Sequence, residues 1–330
     1  SDAIAAFIDR HGDQPLTRPL RSMLIARRAQ ARDWAGVQAL DVPSLSFADR
    51  CHQLHAAVEL GQGETHREAI RAAWMNAKVL PTACHPLDHW LRAQKQLDAE
   101  TVWQRVELAV GAHQIGLLRL LANDLAAKDK AAVLHLADLL ADSGRARQNA
   151  KHWPDDASHR RALALGLARI AARDDAVAAT LWREFSARFQ FEDAQKYRVI
   201  DAIALYRANS FEADAASWLD LLPAGQDSAA TREWRLREAL SRRDLGDAQA
   251  AIDRFDANHL ADPRWQYWRA RVAELRGDAK AAGFYRQLAA SPTFFGFLAA
   301  ERSGQAYALC PIAVPEAEDA ARALQVPGFA

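Results

Sequence analysis

Two stretches of this chain repeat one another in a way that suits paired helices. Leu236-Arg-Glu-Ala-Leu240 leads through Gly246-Asp247-Ala248 to Ile252-Asp-Arg-Phe255. Trp268-Arg-Ala-Arg-Val272 leads through Gly277-Asp278-Ala279 to Phe284-Tyr-Arg-Gln-Leu288. The two Gly-Asp-Ala triplets lie 31 residues apart, a period that belongs to stacked helical hairpins. One hairpin cannot bury its apolar stripe alone, so its neighbours must stack on it. The chain has 330 residues, more than one core usually supports. An elongated array resolves that excess, and it points to a scaffold or a binding surface before it points to chemistry.

The remaining residues agree with an all-α reading. Val, Ile and Thr together number about thirty, while the good helix formers Ala, Leu, Arg, Gln and Glu dominate. Apolar stripes at helical spacing run through Ala248, Ala251, Ile252 and Phe255, through Leu163, Leu167, Ile170 and Ala171, and through Val177, Leu181 and Phe185. Thr65-His-Arg-Glu68 has the form of a capping box, and Asp155 stands where an N-cap should precede a long periodic run. Gly61, Gly144, Gly246 and Gly277 follow periodic runs and are expected to take the left-handed conformation that ends a helix. Arg32-Asp33-Trp34 and Arg173-Asp174-Asp175-Ala176 are looser junctions of the same kind. About eighteen helices are expected, in an irregular α-superhelix of antiparallel hairpins. After Gln305, Pro311 and Pro315 block helix continuation, and one short helix is expected near residues 316–324.

Charge and cysteine content limit the function. Lys plus Arg equals Asp plus Glu at 42 each, which argues against a dedicated nucleic-acid binder. The run Arg27, Arg28, Arg32 fits a solvated helix face. No apolar run reaches the roughly 18 residues of a membrane span. Three cysteines are present. Cys51 falls in a helix and Cys84 in a break, with a helix over 65–79 between them. A disulfide is geometrically reasonable, since the chain leaves one hairpin and returns beside it. Zinc held by Cys51, His55, Cys84 and His89, or two unpaired buried thiols, are the alternatives. Cys310 is left over and expected to be free.

Ten tryptophans suit the gaps between repeats. The densest aromatic region, Trp265-Gln-Tyr-Trp268 with Phe294-Phe-Gly-Phe297, is the first candidate for a contact surface. Trp265, Trp268, Phe294 and Phe297 are its candidate binding residues. No nucleophile elbow, P-loop, dinucleotide fingerprint or His-Glu-x-x-His motif occurs.

A family resemblance rests on four elements. These are the aromatic helix Trp265-Gln-Tyr-Trp-Arg-Ala-Arg271, the Gly277-Asp-Ala turn, Ala282-Gly-Phe-Tyr-Arg-Gln-Leu288, and Phe295-Gly-Phe-Leu-Ala-Ala-Glu-Arg-Ser-Gly-Gln-Ala-Tyr307. Phe7-Ile-Asp-Arg-His-Gly-Asp-Gln-Pro-Leu16, Arg32-Asp-Trp34 and the two early cysteines add to them. In these the chain resembles the soluble lytic murein transglycosylases, in their long superhelical N-terminal region. The likeness spans residues 1–310, and 311–330 looks like the start of the family's linker domain. The resemblance implies a U-shaped superhelix, a Cys51–Cys84 disulfide, a periplasmic location and no cofactor. It implies peptidoglycan glycan strands or stem peptides as partners, together with a lysozyme-like catalytic domain of the same parent chain. The family cleaves the β-1,4 bond between N-acetylmuramic acid and N-acetylglucosamine, leaving a 1,6-anhydro end, with one Glu as acid and then base.

Here the pattern departs. The family's catalytic Glu is followed by Ser, and no Glu precedes a Ser in this sequence. Gly-Leu-Met-Gln is missing, and Ala306-Tyr307 is followed by Ala308 rather than Asn. The family's catalytic residues therefore map to no position, and the chain is expected to be silent by itself, as a piece or a shortened relative of such an enzyme. The alternative is a helical-repeat adaptor that binds another protein.

Overall fold

The computed structural model describes residues 2–12, 14, 17–40, 46–309 and 317–325. Among them the structure is entirely helical, with 21 α-helices, three 3-10 turns and no strand. The chain divides into two compact units, residues 1–203 and 204–330.

The first unit opens with α1 (Asp2–His11), α2 (Thr17–Gln30), α3 (Trp34–Gln38), α4 (Phe47–Glu59), α5 (Arg67–Trp74) and α6 (His85–Ala93). It continues with α7 (Ala99–Gly111), α8 (Ile115–Leu121), α9 (Ala127–Ala141), α10 (Ser143–Asn149), α11 (Ala157–Ala171) and α12 (Asp175–Ser186). Helix α13 (Asp193–Asn209) runs past the boundary. Most helices pack on their successors, and α9 and α7 also pack on α11, so hairpin stacks on hairpin. A continuous core from Cys51 and Trp74 through Leu118 and Leu136 to Leu165 fills the stack.

The second unit holds α14 (Ala215–Asp220), α15 (Ala229–Ser241), α16 (Leu245–Asp253), α17 (Ala257–Ala261), α18 (Pro263–Leu275), α19 (Ala281–Ala289), α20 (Phe294–Ser303) and α21 (Ala317–Ala323). Ala248, Ala251, Ile252 and Phe255, the stripe expected from sequence, are all buried. The buried carboxylate of Asp227 lies 3.3–4.0 Å from the guanidinium groups of Arg232, Arg235 and Arg254, tying the loop before α15 to α15 and α16. Such a cluster holds only as a set, because removing one partner leaves a buried charge uncompensated.

Eight helix ends share a closure that glycine content alone conceals. Eight helices close with a left-handed residue at Arg32, Gly61, Lys95, His113, Phe211, Arg243, Gly277 or Gly304, with φ between 53° and 77°. After each, the next amide donates back five residues, from Asp33 to Arg28, Asp244 to Ala239 and Asp278 to Ala273 among others, at 2.8–3.0 Å. These are Schellman closures. Five of the eight use a residue with a Cβ.

This corrects the expected register. Gly246 is helical, in the first turn of α16, where the Asp244 carboxylate accepts the amides of Gly246 and Asp247 at 2.9 Å. Gly144 likewise lies inside α10. The residue equivalent to Gly277 is Arg243, 34 residues earlier, so the two Gly-Asp-Ala triplets are not structural counterparts.

Three further ends shift. Thr65 does not cap α5, which starts at Arg67 behind a turn where Gly63 packs under the Trp90 ring. The cap of α11 is Asp156, which accepts from the His159 amide at 3.0 Å, while Asp155 takes Arg160 and the Gln190 amide. The helix expected over 65–79 stops at Trp74, because Arg105 donates to the carbonyls of Asn76 and Lys78 and holds that strip away from helix. The short helix expected near 316–324 is present as α21. Residues 310–316 and 326–330, including Cys310, lie outside the described residues.

Cys51 of α4 and Cys84, in the 3-10 turn before α6, form a disulfide, with both residues buried. With the sulfurs spent on each other, the zinc alternative loses both thiolates.

Candidate functional site

The aromatic region singled out in the sequence divides between core and surface. Trp265 is 2% exposed and sits in the core of α15, α16 and α18, with its ring against Phe255 and under the guanidinium groups of Arg237 and Arg264. It therefore offers no face to a ligand. Trp268 is half-buried at the edge of that core. Phe297 is half-buried against the Tyr307 ring, and Phe294 is 67% exposed. The four do not form one platform. Between them Tyr267, Tyr285, Glu274 and Arg302 make a hydrogen-bonded network: Tyr285 Oη donates to Glu274 at 2.7 Å, and Arg302 Nε donates to Tyr267 Oη at 3.0 Å. Burial, reinforced by the Glu274 contact, pushes the Tyr285 hydroxyl well above its usual range. This is a brace between α18, α19 and α20.

None of the ten tryptophans is in the exposed class, and six are buried. Three of the buried indoles donate to carboxylates, Trp74 to Asp88 at 2.7 Å, Trp103 to Asp129 at 3.2 Å and Trp218 to Asp214 at 3.1 Å. They fill gaps between helices, as expected.

A concavity of about 620 Å³ lies in the first unit, lined mainly by α9 and α10. His135 lines it, and behind His135 runs a chain of titratable groups. Asp156, the cap of α11, lies 3.1 Å from His159 Nδ1, and His159 Nε2 lies 3.1 Å from His135 Nδ1. His159 is 2% exposed. The His135 ring stacks on Trp153, 4.5 Å between centroids and 7° from parallel.

This chain fixes the tautomers. Ionised Asp156 only accepts, so His159 Nδ1 donates to it. With both rings neutral, His159 Nε2 carries the lone pair and accepts from His135 Nδ1, which leaves His135 Nε2 as a bare acceptor. His135 Nε2 has no hydrogen-bond partner among the described residues and is not buried, so it is open to solvent. Burial, and then the neighbouring His159, lower the His135 pKa against a smaller opposing pull from Asp138, which keeps the ring neutral. At Asp156 burial pushes upward, but the amide and ring hydrogen bonds from His159 win and hold the carboxylate low. Nothing in the sequence marked His135 and His159, because 24 residues and a helical hairpin separate them. The one local signal was the Trp153-Pro154-Asp155-Asp156 break.

Two general properties bear on chemistry. The carboxyl groups of Asp88, Asp98, Glu100, Asp156, Asp214, Asp244, Asp256 and Glu274 are all held below their ordinary range. A glycosidic general acid needs the opposite, a carboxyl held protonated near neutral pH. Among the described residues no three His, Cys, Asp or Glu side chains gather to hold a metal ion, and no helix is long and apolar enough to cross a membrane.

No protein-family model matches the chain. It is 24% identical over 322 residues to the soluble lytic murein transglycosylase of Escherichia coli K12, covering 96% of this chain and 50% of that protein. It is 25% identical over 311 residues to the Salmonella typhimurium protein of that name, covering 93% and 48%. The chain thus spans about half the length of these relatives. Among solved structures, an inactive mutant of the lytic transglycosylase from Pseudomonas aeruginosa matches with a TM-score of 0.81 at 24% identity, over 99% of this chain and 54% of that one. The 70-kDa soluble lytic transglycosylase in complex with bulgecin A matches with a TM-score of 0.76 at 24% identity, over 98% and 53%. Likeness in sequence along nearly the whole chain, and in fold along all of it, makes this protein a relative of the soluble lytic murein transglycosylases.

Proposed function

We propose that this chain is the helical scaffold of a periplasmic lytic transglycosylase, and that it holds peptidoglycan glycan strands or stem peptides beside a catalytic domain of the same parent. The parent would cleave the bond between N-acetylmuramic acid and N-acetylglucosamine with a 1,6-anhydro product. Residues 1–310 would be the scaffold and 311–330 the start of a linker domain. The observation that carries the reading is the match to transglycosylases along 96% of the chain. The Cys51–Cys84 disulfide supports an oxidising compartment.

By itself this chain would perform no cleavage. No Glu-Ser pair occurs, and the carboxyl groups with shifted pKa are all more acidic than usual, which suits structural ion pairs rather than proton donation. The test is incubation with purified sacculi. The chain should sediment with them at low salt and release no anhydro-muropeptides above a protein-free control. Release at enzyme-like rates would overturn the silence. Failure to sediment would overturn the peptidoglycan contact and favour a protein-binding adaptor.

A further inference from the structure

The cleft lined by α9 and α10 carries polar groups that the protein leaves unused, contributed by both helices. From α9, His135 presents a bare Nε2 acceptor, fixed by the relay through His159 to Asp156 and by stacking on Trp153. Helix α10 places Arg145 and Asn149 one helical turn apart, on one face. Both line the cleft and both are exposed. No carboxylate lies within ion-pair distance of the Arg145 guanidinium among the described residues, and no side-chain hydrogen bond engages the Asn149 amide. The other charges at the rim are committed. Arg119 pairs with Asp138 at 3.2 Å, and the Asp142 carboxylate accepts the Arg145 backbone amide at 2.9 Å as the cap of α10.

The free groups at the cleft are thus a cation, an amide and an acceptor. A peptide C-terminus supplies their complements in sequence: a carboxylate for Arg145, a carbonyl for Asn149 and an amide N–H for His135 Nε2. We propose that this cleft binds the free carboxyl terminus of a short peptide. The relay gives the site its specificity. Asp156 and His159 keep His135 an acceptor at the cleft, so it selects an N–H donor, whereas a lone histidine would exchange tautomers.

The inference stands apart from the scaffold reading and is tested separately. The full chain is titrated with N-acetyl-alanyl-alanine and with its C-terminal amide, by calorimetry and by ¹⁵N spectra of the histidine rings. The free acid should bind at least about tenfold tighter than the amide, the value of one charge-assisted contact, and should move the His135 ring resonances. Arg145→Gln, at an exposed position, should fold with unchanged helicity and lose the preference for acid over amide. His135→Phe keeps the stack on Trp153 and should weaken the acid about tenfold or more. Equal binding of acid and amide overturns the proposal. So does an undiminished preference in Arg145→Gln, or no binding at millimolar peptide. The D and L forms of the probe distinguish the source: a D preference indicates a cell-wall stem peptide, an L preference an ordinary protein terminus, and either supports the site. Sedimentation with sacculi reports on the scaffold reading whatever the peptide result.

Discussion

Arg243 and Gly277 occupy equivalent left-handed positions one 34-residue repeat apart, which yields a reciprocal prediction. A residue with a Cβ in that conformation costs about 1–2 kcal/mol. Arg243 bears that cost, at φ 59°, in closing α15. Arg243→Gly removes it and gives back about 0.5–1 kcal/mol through the looser unfolded chain. The net is a gain of about 0.5–1 kcal/mol, or a melting point higher by about 2–4 °C. Gly277→Arg inverts the arithmetic and should lose a similar amount. The double variant should fall near the parent if the two turns act independently. Gly246→Ala is the control. The 31-residue register makes Gly246 left-handed and predicts a loss like that at Gly277. The structure makes it helical, so the change gains helix propensity, offset by a new Cβ only 3.2 Å from Asp244 Oδ1. The assay is urea unfolding followed by circular dichroism, with thermal melts. A neutral or harmful Arg243→Gly beside a costly Gly246→Ala would refute the assignment of the turn.

Three further outcomes follow from packing and charge. Reducing the Cys51–Cys84 bridge, which spans 33 residues, should destabilise the first unit by about 3–4 kcal/mol in the chain-entropy model; unfolding with and without reductant checks it, and an unchanged midpoint would contradict it. Gly63→Ala brings a Cβ to 2.9 Å from the Trp90 ring, and urea unfolding should show a loss of about 1–3 kcal/mol with the disulfide intact. The Asp256 carboxylate, bonded first by the His259 amide and then by its ring, has its pKa held down to about 2 from an ordinary 3.8. A carboxylate with a depressed folded pKa stabilises above its unfolded value, and that contribution fades as pH falls from about 3.8 through about 2. Melts across that window should be flatter for Asp256→Asn, and an unaltered slope would place the acid sensitivity elsewhere.

The candidate site was less legible than the fold, for a physical reason. Trp265 and Trp268 read as a contact surface because aromatic density is visible in a linear string. Which rings face inward is decided by neighbours such as Phe255 and Arg237, brought in from other helices. No motif in the linear sequence marks His135. Its orientation depends on His159 and Asp156, which share no local pattern with it. The pairing of Cys51 with Cys84 stood between both cases: the separation allowed it, the family resemblance favoured it, and folding of the intervening segment brought the residues to a Cα–Cα distance of 4.9 Å.

Helical periodicity and composition determined by themselves that this chain is a stack of amphipathic hairpins, because stripe spacing is a property of consecutive residues. The Asp33 and Asp174 junctions were legible for the same reason, since a cap acts within one turn of itself. Tertiary structure alone decided where helices stop without glycine, as at Arg32, Lys95, His113, Phe211 and Arg243, and therefore set the true register of the repeat. A left-handed residue with a Cβ is a local cost that no local preference predicts. It is held by the backbone hydrogen bonds of the closure and by the packing of the next helix, and those exist only once the chain has folded.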